Sequence, residues 1–255
     1  MGVPPRDQPT TRNAVLQTLF RAIRSYTATS NLAALSLAAP EILLPIFRER
    51  SESTLRTLAS SYAGNVGLSQ FLSTMREVAD RSAVVGTQNA IAAACLVFSH
   101  SMADGAVEEF CLIAAIFDPA YWGSTVSSQT FTLKQIVDGG TEDLLRTSIR
   151  QKIPTMSLPT KMRHLLRNAG KHANVEHPNF SYDGKRLAEL DALRHEIIHG
   201  ESITLQVAMR DSQEFFFNVT VHAGLIISSM LDLGITHRQL YVEWAEDLKR
   251  QPVGG

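Results

Sequence analysis

The sequence predicts an all-α fold, on three observations. Apolar residues recur at spacings of three and four through most of the 255 residues, which at about 100° per residue places them on one face of a helix. The breaks between these stretches carry helix-ending residues such as Gly64, Gly67, Pro119, Pro154 and Gly234. Ile203 to Met209 and Glu214 to Thr220 look extended, with the strand formers Phe215, Phe216, Phe217 and Val219 near a turn at Asp211-Ser212, so one small β-hairpin is expected inside the helical bundle; Thr130 to Val137 reads as a short helix or strand.

A chain of this length buries a sizeable core as one large domain, or as one domain with a helical extension. Hydrophobic residues make up 44% and charged residues 19%, which places it among globular chains. The formal net charge of −1 excludes a general nucleic-acid coat protein; attraction to RNA would have to come from a local basic patch. Cys95 and Cys111 stand sixteen apart in a helical stretch, which suggests neither a disulfide framework nor a cysteine metal site and points to a reducing cytoplasm. Leu32 to Phe47 is the longest apolar run, and Pro40, Glu41 and Pro45 interrupt it. A soluble protein without a membrane span is expected.

Residues 1–10, with three prolines, read as a flexible tail, and 11–80 as an N-terminal helical extension. Its first helix, Thr11 to about Tyr26, buries Val15, Leu16, Leu19, Phe20 and Ile23. Ser51 opens a second helix running to Tyr62, a third runs from Leu68 to Ala79, and the central one from Thr87 to Phe117. Asp118-Pro119 ends the latter, and Tyr121, Trp122 and the serines up to Gln129 read as a connector. Thr141 to Ile153 is helical again. Ser157 to His172 then gathers Lys161, Arg163, Arg167 and Lys171 with His164 and His172, the one local basic cluster. A last amphipathic helix covers His237 to Arg250, within a C-terminal unit at 236–252.

The chemistry concentrates in Leu187 to Ser202, LAELDALRHEIIHGES. Leu187, Leu190, Leu193 and Ile197 form a buried stripe, Ser181 or Asp183 introduces the helix, and Gly200 stops it. Asp191, Arg194, His195 and His199 leave the helix within an arc of about 140° on one flank. Two readings compete. Arg194 supplies a permanent cation with a planar fork of donors for phosphate, and His199 a group that exchanges protons near neutral pH. Alternatively, His195-Glu196-x-x-His199 spells a zinc-hydrolase helix, although no third histidine follows and Glu214 or Glu243 would have to complete it.

The segment LDALRHEIIHGES resembles the signature of the HEPN superfamily, an arginine followed after four to six residues by a histidine. His195 stands where that pattern usually has asparagine. Upstream, Ser99-His100-Ser101 and Val107-Glu108-Glu109-Phe110 resemble the first HEPN helix. The resemblance implies an all-helical HEPN-like domain at 85–235, with an Arg194/His199 site assisted by His195 and by Glu108, which would orient a base or a guanidinium. Lys161, Arg163, Arg167 and Lys171 would guide RNA. It implies a metal-independent endoribonuclease without cofactor, a toxin or antiphage effector acting as a homodimer with an antitoxin or defence partner. The alternative is a non-catalytic HEPN scaffold or regulatory partner. On the same analogy Glu214 to Leu233 is a last core helix, which competes with the hairpin.

Overall fold

A computed structural model of the chain describes residues 8–38, 66–126, 147–172, 183–199 and 216–250, with positions 49, 57 and 144. The fold is all-α, and the described residues contain no strand. Helix α1 spans Gln8–Ala38 and α2 spans Val66–Phe117. Next come α3 (Pro119–Val126), a 3-10 turn at Ile153–Thr155, α4 (Leu158–Ala169) and α5 (Gly184–His199). A π-helical segment, Phe216–Val221, runs into α6 (His222–Met230), and α7 (His237–Arg250) follows.

Helix α2 is the axis of the core. Leu96, Ala103, Val107, Phe110 and Ala114 are all buried, and their spacings of seven, four, three and four hold them in one stripe. The two helices expected at 68–79 and 87–117 are one helix of 52 residues, about 78 Å long at 1.5 Å per residue. Its Gln88–Phe117 portion is long and apolar enough to cross a membrane. Here that portion is the central helix of a folded core and carries Asp104, Glu108 and Glu109 in ion pairs.

Helix α1 lies on the same core. It buries Val15, Leu16, Leu19, Phe20 and Tyr26, and the Tyr26 ring stacks on Phe216 at 4.4 Å between centroids. Glu109 of α2 accepts from Thr18 and, at 2.8 Å, from Arg21. Arg12 pairs with Glu243 of α7. The helix outruns the expected Thr11–Tyr26 at both ends, and it starts inside the expected tail.

Two expectations are corrected. Tyr121 and Trp122 lie in a helix and not in a connector: Asp118 Oδ1 accepts the Tyr121 backbone N–H at 3.1 Å, a side-chain cap that opens α3. Phe216 to Thr220, expected as the second strand of a hairpin, is π-helical. Phe216, Val219, Thr220 and Val221 are buried, and helix packing overrides the strand preference of aromatic and β-branched residues. Residues 203–215 lie outside the described residues. Cys95 and Cys111 are free and buried.

Candidate functional site

Among the polar residues of α2, His100, Asp104 and Glu108 stand at i, i+4 and i+8. This spacing lines them along one flank of the helix. Helices α4 and α5 both pack on α2 and supply the partners.

From α4 comes Lys161. Leu158, Met162, Leu165 and Ala169 turn one face of α4 to the core, and Lys161 shares that face with no exposed side-chain surface. Its ammonium donates to Asp104 at 2.9 Å and to Glu108 at 3.0 Å. Burial alone would pull the Lys161 pKa down; the two carboxylate hydrogen bonds outweigh it and hold the pKa above the ordinary lysine value. Lys161, expected among the RNA-guiding cations, is therefore an interior charge. Glu108, expected beside Arg194, has its Oε2 engaged by Lys161.

From α5 comes Asp191. Asp183 caps the helix, its Oδ1 accepting the N–H groups of Lys185 and Arg186 at 2.9 and 3.1 Å. The expected stripe seats the helix, with Leu187 and Leu190 buried and Leu193 and Ile197 packed against the core. Asp191 Oδ1 accepts from His100 Nε2 at 2.8 Å, and Arg194 Nε approaches the same oxygen at 3.7 Å. The His100 side chain is 8% exposed. Its pKa is pushed down by burial and by the Arg194 cation, against the opposing pull of Asp191 and Asp104. His100 is thus neutral at pH 7 and donates through Nε2. Arg194 Nε is shielded from solvent and, among the described residues, has no hydrogen-bond acceptor at bonding distance.

Beyond Arg194 the flank opens to solvent. His195 and His199 are exposed, one turn apart, with ring centroids 4.2 Å from each other and planes tilted by 54°. Among the described residues no hydrogen bond or ion pair links Arg194 to His199. The arginine is held toward α2 by Asp191, whereas the two imidazoles form the i, i+4 pair that helix geometry favours.

The remaining cations of the basic cluster stay on the surface. Arg163, Arg167 and Lys171 are exposed, and the Lys171 ammonium sits 4.5 Å from the centre of the Tyr121 ring. Tyr121 donates its hydroxyl to the His164 carbonyl at 3.1 Å. Burial, then Arg167 and Arg163, pushes the His164 pKa down. Behind this patch Trp122 Nε1 donates to Asn168 at 3.0 Å, and Asn168 donates to Asp118 at 2.8 Å. Asp118 follows His100 by eighteen residues, so the Lys171 end of the patch stands about 27 Å along the α2 axis from His100, whereas Arg163 follows Lys161, the partner of Asp104, by two residues and lies nearer the seam.

The chain matches no protein-family model, no curated protein and no solved structure. The chemistry of the site therefore rests on its own residues. No group of three or more metal-ligating side chains gathers among the described residues; Glu243, a candidate third ligand for the zinc spelling, pairs with Arg12, and Glu214 lies outside the described residues. What the arrangement offers is an exposed imidazole pair beside a held guanidinium, suited to proton exchange next to a bound anion. Sequence reading missed the roles of His100 and Asp104, although a polar i, i+4, i+8 run on an apolar helix is a visible signal.

Proposed function

We propose that the protein is a metal-independent endoribonuclease of HEPN type, a toxin or antiphage-defence effector that acts as a cytoplasmic homodimer. The observation that carries this reading is the exposed His195/His199 pair at the end of α5, beside an arginine held by Asp191. His199 takes the proton from the ribose 2′-hydroxyl as that oxygen attacks phosphorus, or returns one to the departing 5′-oxygen. The terminal amino groups of Arg194 hold the phosphate as charge builds on it. His195 is a supporting donor. DNA, which lacks the 2′-hydroxyl, is not cleaved.

Arg163, Arg167 and Lys171 lead RNA toward the seam, with Tyr121 beside them as an aromatic surface. The patch runs along α4 away from the seam, from Arg163 to Lys171, which suits a substrate several nucleotides long. The HEPN resemblance supports a composite cleft in which two copies bring their Arg194/His199 pairs together.

A second reading is a non-catalytic HEPN scaffold that binds an antitoxin or defence partner. It is favoured by the internal engagement of Glu108 and Lys161 and by the net charge of −1. The experiment is cleavage of a mixed-sequence RNA in excess chelator by wild type, His199→Ala and Arg194→Ala. Cleavage by wild type alone supports the ribonuclease, and equal cleavage by a folded His199→Ala protein rules out the assignment. Absence of cleavage by all three favours the scaffold, and relief of host growth arrest by the Ala variants separates the two readings in cells.

A further inference from the structure

We infer that Asp191 is a positioning residue for Arg194, locked in place from the neighbouring helix by His100. The inference rests on the ribonuclease reading for its functional meaning and on the geometry of three side chains for its substance.

A guanidinium presents five N–H donors in a fixed fork, from the Nε side and from the terminal amino groups. In this chain the Nε side faces Asp191 Oδ1 at 3.7 Å, and Nε itself is closed off from solvent. The terminal groups are what remain for a phosphate. Without a partner on its Nε side a long arginine side chain samples many rotamers, and ordering it on substrate binding costs entropy. Asp191 removes part of that freedom beforehand.

Asp191 is itself fixed. Its Oδ1 accepts the His100 Nε2–H at 2.8 Å, and His100 is nearly buried on α2, a helix of 52 residues. The orientation of Arg194 is thereby referred to the core of the protein and not only to its own helix. The charges agree. His100 is neutral and contributes a hydrogen bond only, so the Asp191 carboxylate finds its counter-ion in Arg194. Asp104, the other acid near His100, is taken up by Lys161. Asp191 also lies outside the apolar stripe that seats α5 and keeps 28% of its side chain exposed, so its amide replacement leaves the packing of the helix in place.

The test is steady-state RNA cleavage in chelator by wild type, Asp191→Asn, His100→Leu and His100→Gln, with His199→Ala as the baseline. Asp191→Asn should lower kcat about 10- to 100-fold, the scale set by small misplacements of a catalytic group, and change KM less than about threefold. His100→Leu should move in the same direction, and His100→Gln, whose amide donates from a similar reach, should restore most of the rate. A second readout needs no activity. The Arg194 Nε–H signal, assigned by its absence in Arg194→Lys, should exchange slowly with solvent in wild type and faster in Asp191→Asn. Wild-type kcat in Asp191→Asn, with Nε exchange still slow, overturns the positioning role and leaves the ribonuclease intact. A wild type no more active than His199→Ala overturns the ribonuclease reading and the catalytic meaning of Asp191 with it, while the exchange measurement still decides whether Asp191 holds Arg194.

Discussion

The Lys161 ammonium donates to the Glu108 carboxylate at 3.0 Å from a position with no exposed side-chain surface. With Asp104 at 2.9 Å it forms a three-membered ion cluster that ties α4 to α2. A charge in such a place is stabilising only in its partners' company: its attraction to them offsets lost hydration, and removing one member leaves the others poorly compensated. Lys161→Met should therefore destabilise the fold by about 3 kcal/mol, the low end for broken buried pairs, because Asp104 and Glu108 retain about a third of their exposure. Urea unfolding at pH 7 reads this directly. A loss within about 0.5 kcal/mol, as for an ordinary surface lysine, would mean that the cluster contributes nothing net.

The surface cations of the same helix should behave in the opposite way. Arg163→Gln and Arg167→Gln remove exposed charges, so each should leave stability within about 0.5 kcal/mol of wild type. If RNA follows this patch, each should also weaken binding and flatten the slope of log affinity against log salt by about 0.7 per lost phosphate contact. Titration of an uncleavable 2′-deoxy oligonucleotide at several salt concentrations checks both. Lys161→Met, compared under conditions where it remains folded, should leave the slope unchanged.

The contrast between these lysine and arginine positions shows where sequence reading stops. Periodicity places Leu187, Leu190, Leu193 and Ile197 on the buried face of α5, because a 3.6-residue period is local information. The continuity of α2 through 80–87 was less visible, since Asp80, Arg81 and Ser82 interrupt the apolar run there. Tertiary contacts lie beyond such local signals. Lys161 reads as one of four neighbouring cations until α2 supplies the two carboxylates that draw it inward. Phe216 to Thr220 spells a strand until α1 and α2 surround it. Of the candidate site, Arg194, His195 and His199 were legible as a cluster on one helix; the His100–Asp191 link joins positions ninety-one residues apart and belongs to the fold.

Acid should weaken the fold through its buried and part-buried histidines. His100, His164 and His237 all have pKa values lowered from the ordinary histidine value, with burial the first cause in each. A depressed folded-state pKa means that the unfolded chain binds more protons between the two values, so stability rises with pH across that window. The contribution is complete above the unfolded value of about 6.5 and is lost as pH falls through the lower folded values. Unfolding free energy should thus be smaller at pH 5.5 than at pH 7.5, and His164→Gln should flatten the dependence. An unchanged slope in that variant would remove His164 from the account.

Helices α1 and α6 approach each other tightly where Gly224 faces Leu19. A methyl group added at Gly224 would lie 2.6 Å from Leu19 Cδ2, 2.9 Å from Cδ1 and 3.0 Å from Cγ. Leu19 has no exposed surface into which it could turn, so Gly224→Ala has to push α1 outward or force an unfavourable rotamer. Overpacking of this kind costs about 1–3 kcal/mol, despite the better helix propensity of alanine. The stronger test is the pair. Leu19→Ala alone should cost about 2–5 kcal/mol through the cavity it leaves. In the Gly224→Ala background that cost should shrink, because the new methyl group enters the same space and the clash disappears. A double-mutant cycle measures the coupling, and additive losses would show that the two helices already have room to separate.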